Sequence, residues 1–208
     1  MIIFAHAGLE DEINPLPEWQ DVYRNFIDLG AYAIIASHPH IVQGFEIYKG
    51  RYIFYSLGNF AFDLNKNNQL NRKEELNWNR GLVVEVDTLI NSFNPIVTLY
   101  KDGSVLKDTT VNTDEMFMKL NTVIYDRDKL EKIAFHVSEE LFNSYYHDYW
   151  INVCPLKKRD YIKLIFNKLL HKKNCKQIDL SWLYHNLMIE TNRFIAERYL
   201  SQIDFGAN

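Results

Sequence analysis

The chain has 208 residues, a formal net charge of −4 and a pI near 6.0. Hydrophobic residues make up 47% and charged residues 24%, which excludes a disordered chain and fits a soluble globular fold of one domain, or one domain with an appendage. The acidic balance excludes the basic footprint of a nucleic-acid binder, and no run reaches the roughly 18 apolar residues of a membrane span.

Residues Met1–Ala5 form a uniformly apolar run, the pattern of a strand buried on both faces of a parallel sheet. His6-Ala7-Gly8-Leu9-Glu10 breaks it. A helix is expected next, with Pro17 in its first turn, Trp19, Val22, Tyr23, Phe26 and Ile27 on one face, and Gly30 as a left-handed cap. Ala31–Ala36 is a second continuous apolar run. Strand, helix and strand in this order make a βαβ unit with parallel strands and a right-handed crossover. Both strands then end at one sheet edge, where ligands bind in open α/β sheets. His6 follows the first strand and Ser37-His38-Pro39-His40 the second, so three histidines are expected to converge there. Pro39 biases His38 toward an extended backbone.

Phe45–Tyr48 and Tyr52–Tyr55 flank Lys49-Gly50-Arg51, a hairpin signal with Gly50 supplying positive φ. Glu46 in that hairpin reads as a solvated or cross-strand residue. Ser56–Phe60 is a glycine-containing turn, and the Asn-rich stretch 65–79 reads as an exposed loop or short irregular helix. Gly81–Val86 alternates with strand period, and Asp102-Gly103 marks a second hairpin between Ile96–Tyr100 and Val105–Lys107. From Asp114 the period becomes helical. Phe117, Leu120 and Ile124 share a face capped by Thr113 or Asp114. Further stripes run through Leu130–Tyr145, Ile162–Leu169 and Leu180–Tyr199. The change near residue 112 divides the chain into an α/β part, 1–112, and an all-helical part, 113–208.

Cys154 and Cys175 are too few for a disulfide scaffold; they read as free thiols, with a single disulfide as the alternative where the segments around them lie side by side. His136, His147, His171 and His185 read as structural or surface residues. Tyr145, Tyr146, Tyr149 and Trp150 read as packing material, with a sugar-stacking platform as the alternative, and the basic runs 157–159 and 172–173 as solvated helix ends rather than a membrane patch. The apolar start lacks a basic n-region, so no signal peptide is read and a cytoplasmic location is expected.

Five stretches in order, over about sixty residues, carry a resemblance. They are His6–Glu10, Pro15-Leu16-Pro17, Ser37–Gln43, Glu46–Gly50 and Ile53–Phe60. This run resembles the CapA (poly-γ-glutamate capsule synthesis) family of the calcineurin-like metallophosphatase superfamily, and the likeness fades after about Thr88. It implies a partial metallophosphatase-like β-sandwich with flanking helices and a two-metal centre that hydrolyses phosphoesters. By position, His6, His38 and His40 are the implied metal ligands, with Ser37 in place of the family's usual glycine. The metal would be Mn, Fe or Zn. Glu10 and Asn59 are candidates to contact substrate or to hold a ligand histidine in place.

The superfamily's early Asp-x-His, Gly-Asp and Asn-His motifs would lie ahead of Met1. The expectation is therefore half of a site, weakly metallated or empty and catalytically dead or nearly so. A missing N-terminal half or an oligomer partner would complement it. A non-catalytic accessory module for capsule or polyglutamate synthesis, or a truncated remnant, are the alternatives. Family relatives often act at the outer face of the cell membrane. The substrate is not legible in these residues.

Overall fold

The computed structural model describes residues 1–62, 77–143 and 189–202. Both cysteines, the stripe over 162–169, the tyrosine cluster from Tyr145 to Trp150 and three of the four helical histidines lie outside them. Two compact units divide the chain, Met1–Ala134 and Phe135–Asn208. The fold is mixed α/β.

The first unit opens with the βαβ element. β1 (Ile2–His6) pairs in parallel with β2 (Ala33–Ser37), in a register that sets His6 beside Ser37. α1 (Pro17–Asp28) is the crossover, with Pro17 at its start and Gly30 just past its end at φ 101°. β3 (Phe45–Tyr48) and β4 (Arg51–Phe54) make the expected hairpin, and β4 joins β2 in parallel, giving the order β1-β2-β4-β3. The hairpin loop is Lys49-Gly50, with φ 50° and 75°. Positive φ at both central residues is the primed turn whose twist matches the strands it joins. Lys49 thus adopts the left-handed conformation along with Gly50.

A second, antiparallel sheet contains β5 (Arg80–Asp87), β6 (Ser92–Lys101) and β7 (Ser104–Lys107). Asp102 and Gly103, at φ 52° and 78°, turn β6 into β7 as expected. Strand alternation decides what each face buries. Ile34, Ala36, Ile53 and Tyr55 face α1 and pack on Tyr23 and Ile27. Ala33 and Phe54, on the opposite face, pack on Phe93, Val84 and Val86 of the second sheet. The first unit is therefore layered: helix, parallel-rich sheet, antiparallel sheet.

α2 (Thr113–Ile124) packs Phe117 against Leu82 and Val97 in this unit. Its N-cap is Asn112, whose side chain accepts from the backbone N–H groups of Asp114 and Glu115. The cap expected at Thr113 or Asp114 sits one residue earlier, because asparagine at 112 reaches both exposed amides at once. In α3 (Arg127–Leu141) the fully buried positions are Leu130, Ala134 and Ser138, with Ile133 and Val137 half-buried beside them. In the second unit Phe142 stacks on Tyr199 of α4 (Glu190–Ser201), with centroids 4.4 Å apart, and packs on Ala196. Among the described residues no helix is long and apolar enough to cross a membrane.

Glu46 departs from the expectation of a solvated hairpin residue. It lies on the face of β3 that meets α1, and its side chain is 1% exposed. Arg24 donates to both its oxygens, at 3.0 and 2.6 Å, and the buried Tyr55 hydroxyl donates at 2.6 Å. A buried carboxylate persists only when paired and hydrogen-bonded in this way. The acid holds the Arg24 guanidinium above its ordinary pKa. Burial, reinforced by Glu46, does the same to the Tyr55 phenol.

Candidate histidine site

The parallel pairing of β1 and β2 delivers the histidines to one place. His6 ends β1 and is exposed, and its Nδ1 lies 3.2 Å from the Ser37 hydroxyl on the neighbouring strand. The His6 and His38 ring centroids are 4.9 Å apart in an edge-to-face arrangement, and His38 and His40 are 6.2 Å apart. Glu10 reaches the same place from the loop after β1, with Oε1 3.5 Å from His40 Nε2. The convergence expected from the βαβ reading is present.

The loops that carry these rings are held together by backbone. Ala7 N–H donates to the Ser37 carbonyl at 3.0 Å, and Asp11 N–H donates to the Pro39 carbonyl at 3.1 Å. Gly8 has φ 134°, and a Cβ built there would lie 2.8 Å from Pro39 Cγ, so only glycine lets the two loops touch. These ties override the local influence of proline on its predecessor. His38 does not take the extended backbone expected of it: its φ is 115°, and that of His40 is 64°. Left-handed conformations at non-glycine residues cost about 1–3 kcal/mol and gather at functional sites. Burial, and then the neighbouring His6 ring, hold the His38 imidazole below its ordinary pKa, so the fold favours its neutral form.

His40 sits in a box of groups that sequence reasoning left out, Asn59 excepted. The Trp78 indole stacks on its ring at 4.5 Å and 17°, and Phe62 meets the ring edge-on at 5.5 Å. Trp78 is anchored by its Nε1–H, which donates to Asp11 Oδ1 at 2.6 Å. It is 3% exposed, although it falls in the Asn-rich stretch expected to be an exposed loop. The one available signal was a large aromatic at the end of a polar run. Asn59 lies beneath His40, with Oδ1 2.9 Å from His40 Nδ1. It is placed by close approach of two glycines: Gly58 pairs with Gly81, and a Cβ on Gly81 would lie 2.4 Å from the Asn59 carbonyl oxygen.

The donor chemistry of this cluster fits a divalent transition metal. Neutral imidazoles suit Mn, Fe and Zn. With metal–nitrogen bonds of about 2.0–2.1 Å, two imidazoles on one tetrahedral centre hold their centroids roughly 5 Å apart, close to the 4.9 Å between His6 and His38. As the side chains stand, no three His, Cys, Asp or Glu residues among those described form a closed ligand group. Closing one therefore takes rotation of the rings about their side-chain bonds.

Residues 1–64 match the sequence model of a family described as bacterial capsule synthesis protein PGA_cap. The capsule biosynthesis protein CapA of Bacillus anthracis is 41% identical over 63 residues, 30% of this chain and 15% of that protein. The PGA biosynthesis protein CapA of Bacillus subtilis (strain 168) is 40% identical over 63 residues, 30% of this chain and 17% of that protein. The uncharacterized protein y4sH of Sinorhizobium fredii (strain NBRC 101917 / NGR234) is 54% identical over 44 residues, 21% of this chain and 10% of that protein. The chain spans less than a fifth of the length of the curated relatives it matches.

Proposed function

We propose that the histidine loops, which lie within the stretch 1–64 that matches the PGA_cap family of bacterial capsule synthesis proteins, are the imidazole side of a divalent-metal site in a metallophosphatase-like protein serving capsule or poly-γ-glutamate production. The observation that carries this reading is the meeting of His6 and His38, 4.9 Å apart, at the ends of neighbouring parallel strands within the matched stretch.

His6, His38 and His40 would hold the metal. Bound there, a divalent ion would act as a Lewis acid on a phosphoryl oxygen and lower the pKa of a coordinated water. The protein's own part is positional. Gly8 against Pro39 fixes the spacing of the loops, Ser37 steadies the His6 ring, and the Trp78 face and Phe62 edge screen one side of His40 from water. Three imidazoles suffice for one metal. A dinuclear centre also needs bridging oxygens, and Glu10 is the carboxylate that approaches His40. Among the described residues this ligand count favours metal binding over hydrolysis.

The test is hydrolysis of a chromogenic phosphodiester by the full chain with added manganese, run alongside metal retention after desalting. Retained metal with negligible turnover fits the reading. Robust turnover abolished by His38→Ala would overturn the inactivity, and absence of retained metal would overturn the site.

A further inference from the structure

The Asn59 carboxamide is fixed by three polar contacts that leave it only one orientation. Its Nδ2 donates to the His40 carbonyl at 2.9 Å and to the Trp78 carbonyl at 2.8 Å. Turned over, the amide would set its oxygen against two carbonyl oxygens in a residue only 8% exposed. Oδ1 must therefore be the atom facing His40 Nδ1 at 2.9 Å. An amide oxygen only accepts, so Nδ1 must carry the proton.

We propose that Asn59 is a positioning residue that locks the neutral His40 ring in its Nδ1–H tautomer, leaving the lone pair on Nε2, the nitrogen turned toward Glu10. The geometry makes His40 a base or ligand in one direction only. His6 is the contrast: its Nδ1 contact is the Ser37 hydroxyl, which can donate or accept and so imposes no tautomer. The anchoring bonds of Asn59 reach the backbone of two separate segments, so the amide is set by the fold and not by the ring it faces. The inference does not rest on metal binding, because the tautomer is a property of the metal-free ring.

Nitrogen-15 NMR of the metal-free full chain tests it, with ring nitrogens correlated to ring protons well above the ordinary histidine pKa of about 6.5. In the unsubstituted protein His40 is expected to show a pyrrole-type, protonated Nδ1 and a pyridine-type Nε2. His6 is expected to show exchange-averaged nitrogens. Asn59→Ala should move the His40 nitrogens toward the averaged pattern. A pyridine-type Nδ1 in the unsubstituted protein overturns the proposal whether or not the variant folds. So does an unchanged His40 pattern in folded Asn59→Ala.

Discussion

Replacing Arg24 with methionine would strand the Glu46 carboxylate in the first unit. Glu46 is 1% exposed and Arg24 29%, and the pair is bidentate at 3.0 and 2.6 Å. Removing one partner of a buried ion pair costs about 3–5 kcal/mol, because the remaining charge has lost its water and its counter-charge. Two features place Arg24→Met at the low end, about 3 kcal/mol. The Tyr55 hydroxyl still donates to Glu46 at 2.6 Å, and the space vacated by a partly exposed guanidinium admits some water. At roughly 2–4 °C per kcal/mol for a chain of this size, thermal melting followed by near-ultraviolet circular dichroism should fall by about 6–12 °C. The decisive comparison is the double variant Arg24→Met/Glu46→Gln, which has no charge to strand and keeps an acceptor for Tyr55. It should be more stable than Arg24→Met alone. A single-variant loss below about 1 kcal/mol, or no recovery in the double variant, would refute the buried-charge reasoning.

Gly81→Ala should destabilise the first unit by about 1–3 kcal/mol, the usual cost of overpacking, since the new Cβ would lie 2.4 Å from the Asn59 carbonyl oxygen; chemical denaturation checks it. His38→Gly should be more stable than His38→Ala by about 1 kcal/mol, because only glycine adopts a φ of 115° at no steric cost; paired denaturant melts of the two variants read this directly. Asp108 supplies a pH dependence. Burial opposes its charged form, but the Thr110 hydroxyl and Arg80 guanidinium outweigh that and hold its pKa below the ordinary carboxylate value. A depressed folded pKa means stability that is present above the unfolded value of about 3.9 and lost as pH falls through the folded value. Asp108→Asn should lower stability at neutral pH and flatten the acid limb of a stability–pH profile below about pH 4.

The elements that position the site were legible because they rest on local pattern. Two uninterrupted apolar runs separated by an amphipathic helix admit few arrangements, and the right-handed parallel crossover brings the residues after each run to one edge. The Lys49-Gly50 and Asp102-Gly103 turns were legible for a similar reason, since their backbone angles are a property of two residues. What stayed hidden depends on partners distant in sequence. The burial of Glu46 is set by Arg24, one helix earlier. The box around His40 is closed by Trp78, which a reading by composition assigns to a polar loop. His38 shows local and tertiary terms in conflict. Proline 39 favours an extended predecessor, but the hydrogen bonds from Ala7 and Asp11 to the carbonyls either side of it fix the loop, and the backbone turns left-handed.

Calorimetric titration of the metal-free chain with zinc, repeated on His6→Ala, His38→Ala and His40→Ala, tests most directly whether imidazoles from two strand ends serve one ion. The account predicts a single saturable site in the unsubstituted chain and a loss of affinity of tenfold or more in the His6, His38 and His40 variants alike, about 1.4 kcal/mol each. Equal affinity in all four proteins, or loss confined to one histidine, would contradict it.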